Sequence, residues 1–310
     1  MKKPLRIIGR LLLGLILLLL LFVAFIAFSA PPTYTDVQAP ALTVDLSPEA
    51  IARGQKLVDS NCRNCHRAED GTQMIGRIFE DRGANSDFGT IYTANITKHP
   101  TAGIGDYTDG ELYRVLRTGI KKNNERAIAV MPTWPLASEQ DIHDIIAFLR
   151  SDHPWVAPSN EVHPPHQPSL LSKALHRFVL TPTPYQTEYP TNPSLSDSVA
   201  YGAYQVNNVN LCYYCHSADI KAASALEPKT TPGYMAGGFV FLHLDYDIPV
   251  PGLIPTADNN VGKWTIEQFV DAVKFGQRPD LPAYKQPMHP FNLLDTAEVR
   301  AIHHYLGSLQ

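Results

Sequence analysis

All four cysteines of this 310-residue chain fall in two copies of one pentapeptide, Cys62-Arg-Asn-Cys65-His66 and Cys212-Tyr-Tyr-Cys215-His216. Residues three apart share a face of a helical turn, so each copy presents two thiols to one object, with an imidazole beside them. Four cysteines in an exported chain ordinarily mean two disulfides; their confinement to a repeated motif argues otherwise. A zinc site wants its Cys-x-x-Cys pairs about 15–20 residues apart, whereas these start at positions 62 and 212. A thioredoxin-like redox motif needs a βαβ context, and neither copy has one.

Cys-x-x-Cys-His is the attachment signature of c-type haem. Both thiols form thioethers to the two vinyl groups of one porphyrin, and the adjacent histidine takes the iron as proximal ligand. The expected cofactors are therefore two covalently bound haem c groups. Cys62, Cys65 and His66 hold one, and Cys212, Cys215 and His216 hold the other.

Beyond the initiator there are four methionines that can supply a sixth ligand: Met74, Met131, Met235 and Met288. An axial methionine usually sits on a loop some tens of residues after the histidine, just before a C-terminal helix. Met131 fits, because Val130-Met131-Pro132 precedes the cap Ser138 and the apolar run Ile142, Ile145, Ile146, Phe148, Leu149, with Asp141 where a capping-box acid would stand. Met288 fits likewise, ahead of Asp295-Thr-Ala-Glu298 and Val299, Ile302, Tyr305, Leu306. Met131 and Met288 are the expected axial pair, with His289 a rival for the second iron. Met74 follows His66 by only eight residues, an awkward reach. Met235 lies in a Gly-rich loop and is read as packing beside the haem. His163 and His166, flanking two prolines, are read as packing residues.

The halves align beyond their cysteines. Gly105, Thr108, Glu111, Leu112, Gly119 and Met131 match Gly262, Thr265, Gln268, Phe269, Gly276 and Met288, each pair 157 apart. Both copies predict a Thr-x-x-Glu/Gln capping box opening a short helix that ends at glycine. Upstream the register slips, since Gly54 precedes its first cysteine by eight residues and Gly202 by ten. Ser47-Pro48-Glu49 starts a helix in the favoured cap-then-proline order. The stretch 151–195 holds nine prolines, interrupted by a helical pattern, Leu170, Leu171, Ala174, Leu175, Phe178. Such spacers are semi-rigid, so this one is expected to brace one half against the other with its helix buried at the seam.

Lys2, Lys3, Arg6 and Arg10 precede an almost unbroken apolar run from Leu11 to Phe28. At about 1.5 Å per residue this run nearly spans a hydrocarbon core of roughly 30 Å. The basic flank puts Met1 in the cytoplasm and the remainder outside. A cleaved signal peptide competes, because Ala27-Phe28-Ser29 resembles a cleavage site; signal cores, however, run about 7–15 residues, shorter than this one. Beyond residue 30 only 22 Lys and Arg oppose all 30 Asp and Glu, a balance of -8. That disfavours nucleic acid, whose binding rests on basic side chains, and favours a basic protein partner.

Periodic segments repeat every three to four residues and no alternating strand pattern stands out, so the fold class is all-α. The run Gly89-Thr-Ile-Tyr-Thr-Ala-Asn95-Ile96-Thr97, then Thr101-Ala-Gly103-Ile104-Gly105-Asp-Tyr-Thr108, then Met131-Pro132, resembles the cytochrome c subunits of bacterial membrane-bound dehydrogenases of alcohol or gluconate type. Those subunits commonly carry three haems, where this chain has two motifs and a plain N-terminal anchor, as in stand-alone two-haem carriers. The resemblance implies two tandem cytochrome c domains behind one transmembrane helix: anchor 1–30, linker 31–46, first domain 47–152, Pro-rich linker 153–195, second domain 196–310. It further implies a non-enzymatic electron carrier in the bacterial inner membrane, its soluble part in the periplasm, with dehydrogenase or oxidase subunits as redox partners. Rival readings are a bound subunit of a larger respiratory complex and a two-haem peroxidase with an open second iron.

Overall fold

Helix starts follow the caps written in the sequence. A computed structural model describes residues 2–310, with Lys2 and Lys3 described by backbone only; the cytoplasmic placement assigned to Met1 lies outside the described residues. In chain order the helices are α1 (Lys2–Phe28), α2 (Pro48–Asn61), α3 (Arg63–His66), α4 (Arg82–Phe88), α5 (Asp109–Thr118), α6 (Glu139–Arg150), α7 (Leu170–Phe178), α8 (Ser198–Tyr204), α9 (Asn260–Lys263), α10 (Ile266–Phe275) and α11 (Thr296–Gly307). Ser47 caps α2 with Pro48 in its first turn. Thr108 with Glu111, and Thr265 with Gln268, form reciprocal capping boxes on α5 and α10, which end at left-handed Gly119 and Gly276. All of these are the expected devices.

The first correction concerns strands. The chain is mostly helical, but two small antiparallel pairs are present: β1 (Gly89–Thr90) with β2 (Gln167–Pro168), and β3 (Gly237–Leu242) with β4 (Asp247–Pro251). Val240 faces Pro249 and Leu242 faces Asp247 across the second pair, with a bulge between Gly237 and Val240. Glycines at one end and prolines on the partner strand hid this hairpin from any periodicity. A second correction is Asp141. Its backbone N–H donates to the Ser138 cap, but its carboxylate closes no capping box and instead accepts from Tyr204 Oη and Asn192 Nδ2.

The core is built on two helix crossings of the same design. Gly54 lets α2 approach α6 so closely that a Cβ there would lie 1.9 Å from the Asp144 carbonyl oxygen. Gly202 does the same between α8 and α11, where a Cβ would lie 2.0 Å from the carbonyl of Ala301. Asp144 and Ala301 are again 157 apart. The two-residue slip upstream is absorbed after the crossing. Gln205–Val209 form a π-helical turn, and Leu211 is left-handed at φ 48°; a π-turn accommodates extra residues without breaking the helix.

The halves are joined by buried polar contacts. Trp134 Nε1 donates to the Val209 carbonyl at 2.9 Å, the Ser138 N–H to Tyr204 Oη at 2.7 Å, and Asn208 Nδ2 to the Leu136 carbonyl at 2.9 Å. Lys56 bridges to Asp295 and Glu298 at 2.8 and 2.9 Å. Burial pushes the Asp141 carboxyl upward against the downward pull of its Tyr204 and Asn192 donors.

The Pro-rich stretch gives the third correction. It runs largely over the N-terminal half, where His163 donates to the Gly76 carbonyl (2.8 Å) and His166 to that of Phe88 (3.0 Å), the packing roles expected of them. Helix α7 is not buried at the seam. It packs against α1 and α4, and Leu170, Leu171 and Phe178 are exposed.

Candidate haem sites

The end of α2 delivers the first motif. The Cys62 N–H donates to Val58 O, and the chain turns again through α3, so that the His66 N–H reaches back to Cys62 O at 2.9 Å. In the second copy the left-handed Leu211 opens a 3-10 turn over Cys212–Tyr214, and the His216 N–H closes on Cys212 O at 3.0 Å. One copy is α-helical and the other is tighter, yet both place the histidine one turn after the first cysteine.

Each imidazole is held by a backbone carbonyl. His66 Nδ1 lies 2.7 Å from Ala94 O and His216 Nδ1 lies 2.8 Å from Pro251 O. A carbonyl only accepts, so each Nδ1 carries the proton and each Nε2 keeps its lone pair for a metal. Burial lowers the basicity of both rings, which keeps them neutral, as an iron ligand must be. Sequence reasoning did not find these two carbonyls, although Ala94 and Pro251 stand at the 157-residue offset already visible in the repeat.

The same offset logic reassigns two methionines. The Gly76 N–H donates to His66 O and that of Gly237 to His216 O; the Ile96 N–H donates to Met74 O and that of Leu253 to Met235 O. Met74 and Met235 are thus equivalent positions, and both are wholly buried. Eleven extra residues between His216 and Met235, carrying the 3-10 turns Ile220–Ala222 and Pro228–Thr230, conceal the match.

Met131 sits half-buried on the loop before α6, against the core that contains Cys62 and Met74. Met288 is half-buried on the corresponding loop before α11. Its neighbour Pro287 accepts from Asn64 Nδ2, within the first cysteine motif, at 3.1 Å. His289 lies against Phe291, ring centres 4.6 Å apart and tilted by 31°, and burial lowers the basicity of its ring. Its Nε2 is buried without a partner.

Burial pushes the Cys62 and Cys212 thiols up to about 12, and Cys215 to about 11. None of the four forms a disulfide. Among the described residues no group of three His, Cys, Asp or Glu side chains is arranged to hold a metal ion, which is not the layout of a thiolate zinc site. Buried neutral thiols three residues apart, beside an imidazole presenting Nε2, fit covalent haem.

Such a donor set on α2 and α3 resembles that of a c-type cytochrome. Residues 49–149 match the family model described as "Cytochrome C oxidase, cbb3-type, subunit III", and this segment is a cytochrome c domain. The chain is 30% identical over 239 residues to the cytochrome c subunit of a quinone-type alcohol dehydrogenase from Gluconobacter oxydans, covering 75% of this chain and 48% of that one. It is 28% identical over 278 residues to one of the subunits of nicotinate dehydrogenase from Pseudomonas putida, covering 84% and 21%. A "Diheme cytochrome c-type" from Cereibacter sphaeroides is 25% identical over 254 residues, covering 78% of each chain. The chain spans half or less of the length of the first two relatives.

Proposed function

We propose that the chain is a membrane-anchored, two-haem electron carrier that passes electrons from a dehydrogenase or quinol-oxidising complex to an acceptor, without catalysing a substrate reaction itself. The observation that carries this reading is the paired donor set: two Cys-x-x-Cys-His turns, each with its histidine Nδ1 tied to a backbone carbonyl. When bound, each haem supplies a one-electron ferric/ferrous couple. The chain's residues do the rest. Cys62, Cys65, Cys212 and Cys215 would attach it, and His66, His216, Met131 and Met288 would ligate the iron. Two tandem cytochrome c domains, 47–152 and 196–310, are supported by the repeated glycine crossings and capping boxes. The bond from Asn64, within the first cysteine motif, to the Pro287 carbonyl beside Met288 supports transfer between the two sites. The direct test is haem stoichiometry and redox titration of the purified chain: two covalent haems per chain, both reversibly titratable, is the expected result, and a single haem refutes the reading.

A bound subunit of a larger dehydrogenase complex is the second reading, favoured by the relatives' names; mass spectrometry of chains that co-purify in detergent separates it from the free carrier. A peroxidase would need an open or mobile ligand at the second iron. Met288 is read as that ligand on its 157-residue match to Met131 on the corresponding loop, with His289 its rival.

The anchor reading rests on α1, in which the most apolar 18-residue window of Pro4–Phe28 has mean hydropathy 3.3, long and apolar enough to cross a bilayer. Retention of the segment is supported by its last turn, where Ile26 is buried and Lys173 Nζ bonds the Ala27 carbonyl at 2.6 Å. Replacing residues 1–30 with a cleavable export signal is expected to release a two-haem protein into the periplasmic soluble fraction after a salt wash. Continued sedimentation with membranes would show that the main attachment lies elsewhere.

The balance of -8 beyond residue 30 leads to a kinetic expectation. Reduction by a small basic donor protein slows as ionic strength rises from about 0.01 to 1 M, because the Debye length shrinks from about 30 to 3 Å. A flat or rising rate in stopped-flow measurements would remove charge steering from the account.

A further inference from the structure

Helix α7 presents an apolar face that its contacts with α1 and α4 leave partly uncovered. Leu170, Leu171, Phe178 and the following Val179 are 44%, 50%, 56% and 63% exposed, in a protein whose other linker residues are mainly polar or proline. Isolated exposed leucines are ordinary; a cluster on one short helix calls for a reason.

The helix is clamped at both ends. At its start, Ser169 caps α7 through the Ser172 N–H (2.9 Å) and donates to the Asp87 carbonyl (2.6 Å), next to the β1–β2 pair. At its end it lies against α1. The rings of Phe178 and Phe22 stack with centres 5.9 Å apart, the Arg177 guanidinium lies 5.1 Å over Phe25, and Lys173 and Arg177 bond the carbonyls of Ala27 and Ala30. Those two cations satisfy carbonyls that the end of α1 leaves free.

The contact with Phe22 sets the depth. Phe22 precedes the last residue of α1 by six positions, or about 9 Å along the axis. Where α1 crosses a bilayer, a ring stacked on Phe22 lies below the headgroups. The apolar side chains of α7 then face acyl chains, while Lys173 and Arg177 stay at the level where α1 emerges, as snorkelling cations do.

We propose that α7 is an interfacial helix seated in the outer leaflet beside the emergence point of α1, its occupant being lipid. This rests on the reading of α1 as a membrane anchor. The consequence is orientational: because α7 is tied to α4 and β1, the N-terminal half and its haem site are held next to the membrane, within reach of a membrane-bound donor.

The test uses the full haem-loaded chain in phosphatidylethanolamine–phosphatidylglycerol nanodiscs containing a phospholipid with a photoactivatable diazirine on its acyl chain. Adducts are mapped by peptide mass spectrometry. Expected are adducts on α1 and on residues 170–179, the latter about tenfold stronger than on residues 277–285, which carry the exposed Leu281. In the double variant Leu171→Glu, Val179→Glu the adducts on 170–179 are expected to fall about tenfold, with those on α1 and the haem count unchanged. Adducts on α1 alone, or labelling of 170–179 that is unmoved in the variant, overturn the proposal while the anchor stands. Adducts on neither segment refute the anchor reading, and the proposal with it.

Discussion

Met131→Ala and Met288→Ala should each remove about half of the weak red absorption band that an iron–thioether bond gives the oxidised protein, and each should lower the potential of one haem. Axial ligands span a range of roughly 0.8 V, so the drop is large against any change in surface charge. The covalent haem count stays at two, because neither methionine takes part in the thioethers. Met131 and Met288 stand on corresponding half-buried loops ahead of α6 and α11. His289 gives the measurement its sharp alternative. An imidazole on the second iron would leave the unmutated protein with half the band, make Met288→Ala silent, and transfer the potential shift to His289→Ala. His289, its Nε2 buried and unpartnered, is the rival that this measurement separates from Met288.

The second large effect is on stability. Gly54→Ala places a methyl 1.9 Å from Asp144 O and 2.9 Å from Phe148 Cβ, and Gly202→Ala places one 2.0 Å from Ala301 O and 2.8 Å from Tyr305 Cβ. The obstacle is helix backbone in both cases, so the side chain cannot rotate away and the helices must part. Overpacking of this kind costs about 1–3 kcal/mol, and backbone obstruction puts these two at the top of that range. At about 2–4 °C per kcal/mol for a protein of this size class, the melting midpoint of the haem-loaded chain falls by several degrees for either variant. An unchanged midpoint in calorimetry would mean that the crossings are looser than described. The same two substitutions also test the repeat, since the paired contacts predict similar losses.

Much of the candidate site was legible because its chemistry is local. Two thiols and an imidazole within five residues, a threonine three residues before its capping partner, and a glycine where a helix stops all act within one or two turns, and periodicity or spacing reveals them. The match of Thr108 to Thr265 and of Met131 to Met288 at one offset was equally open to inspection. The carbonyls of Ala94 and Pro251 were not, since they reach His66 and His216 across 28 and 35 residues of chain. Met74 and Met235 escaped notice as a pair because an insertion shifts one of them.

Asp141 shows how a local rule is overridden. Its position read as the acid of a capping box, yet its carboxylate turns to Tyr204 and Asn192, since a buried carboxylate must take whatever donors the fold brings to it. Helix α7 shows the same from the apolar side. Its periodicity predicted a buried face, and periodicity names the apolar side without naming what covers it. The sequence by itself determined where the two Cys-x-x-Cys-His motifs stand, where helices begin and end, and that one block occurs twice. Only the tertiary structure decided which carbonyl holds each histidine, which face of α7 stays bare, and that Asn64 of the first cysteine motif meets the loop of Met288. The reason is range: capping, attachment and periodicity depend on residues a few positions apart, while those three depend on the path of the chain between residues tens to hundreds of positions apart.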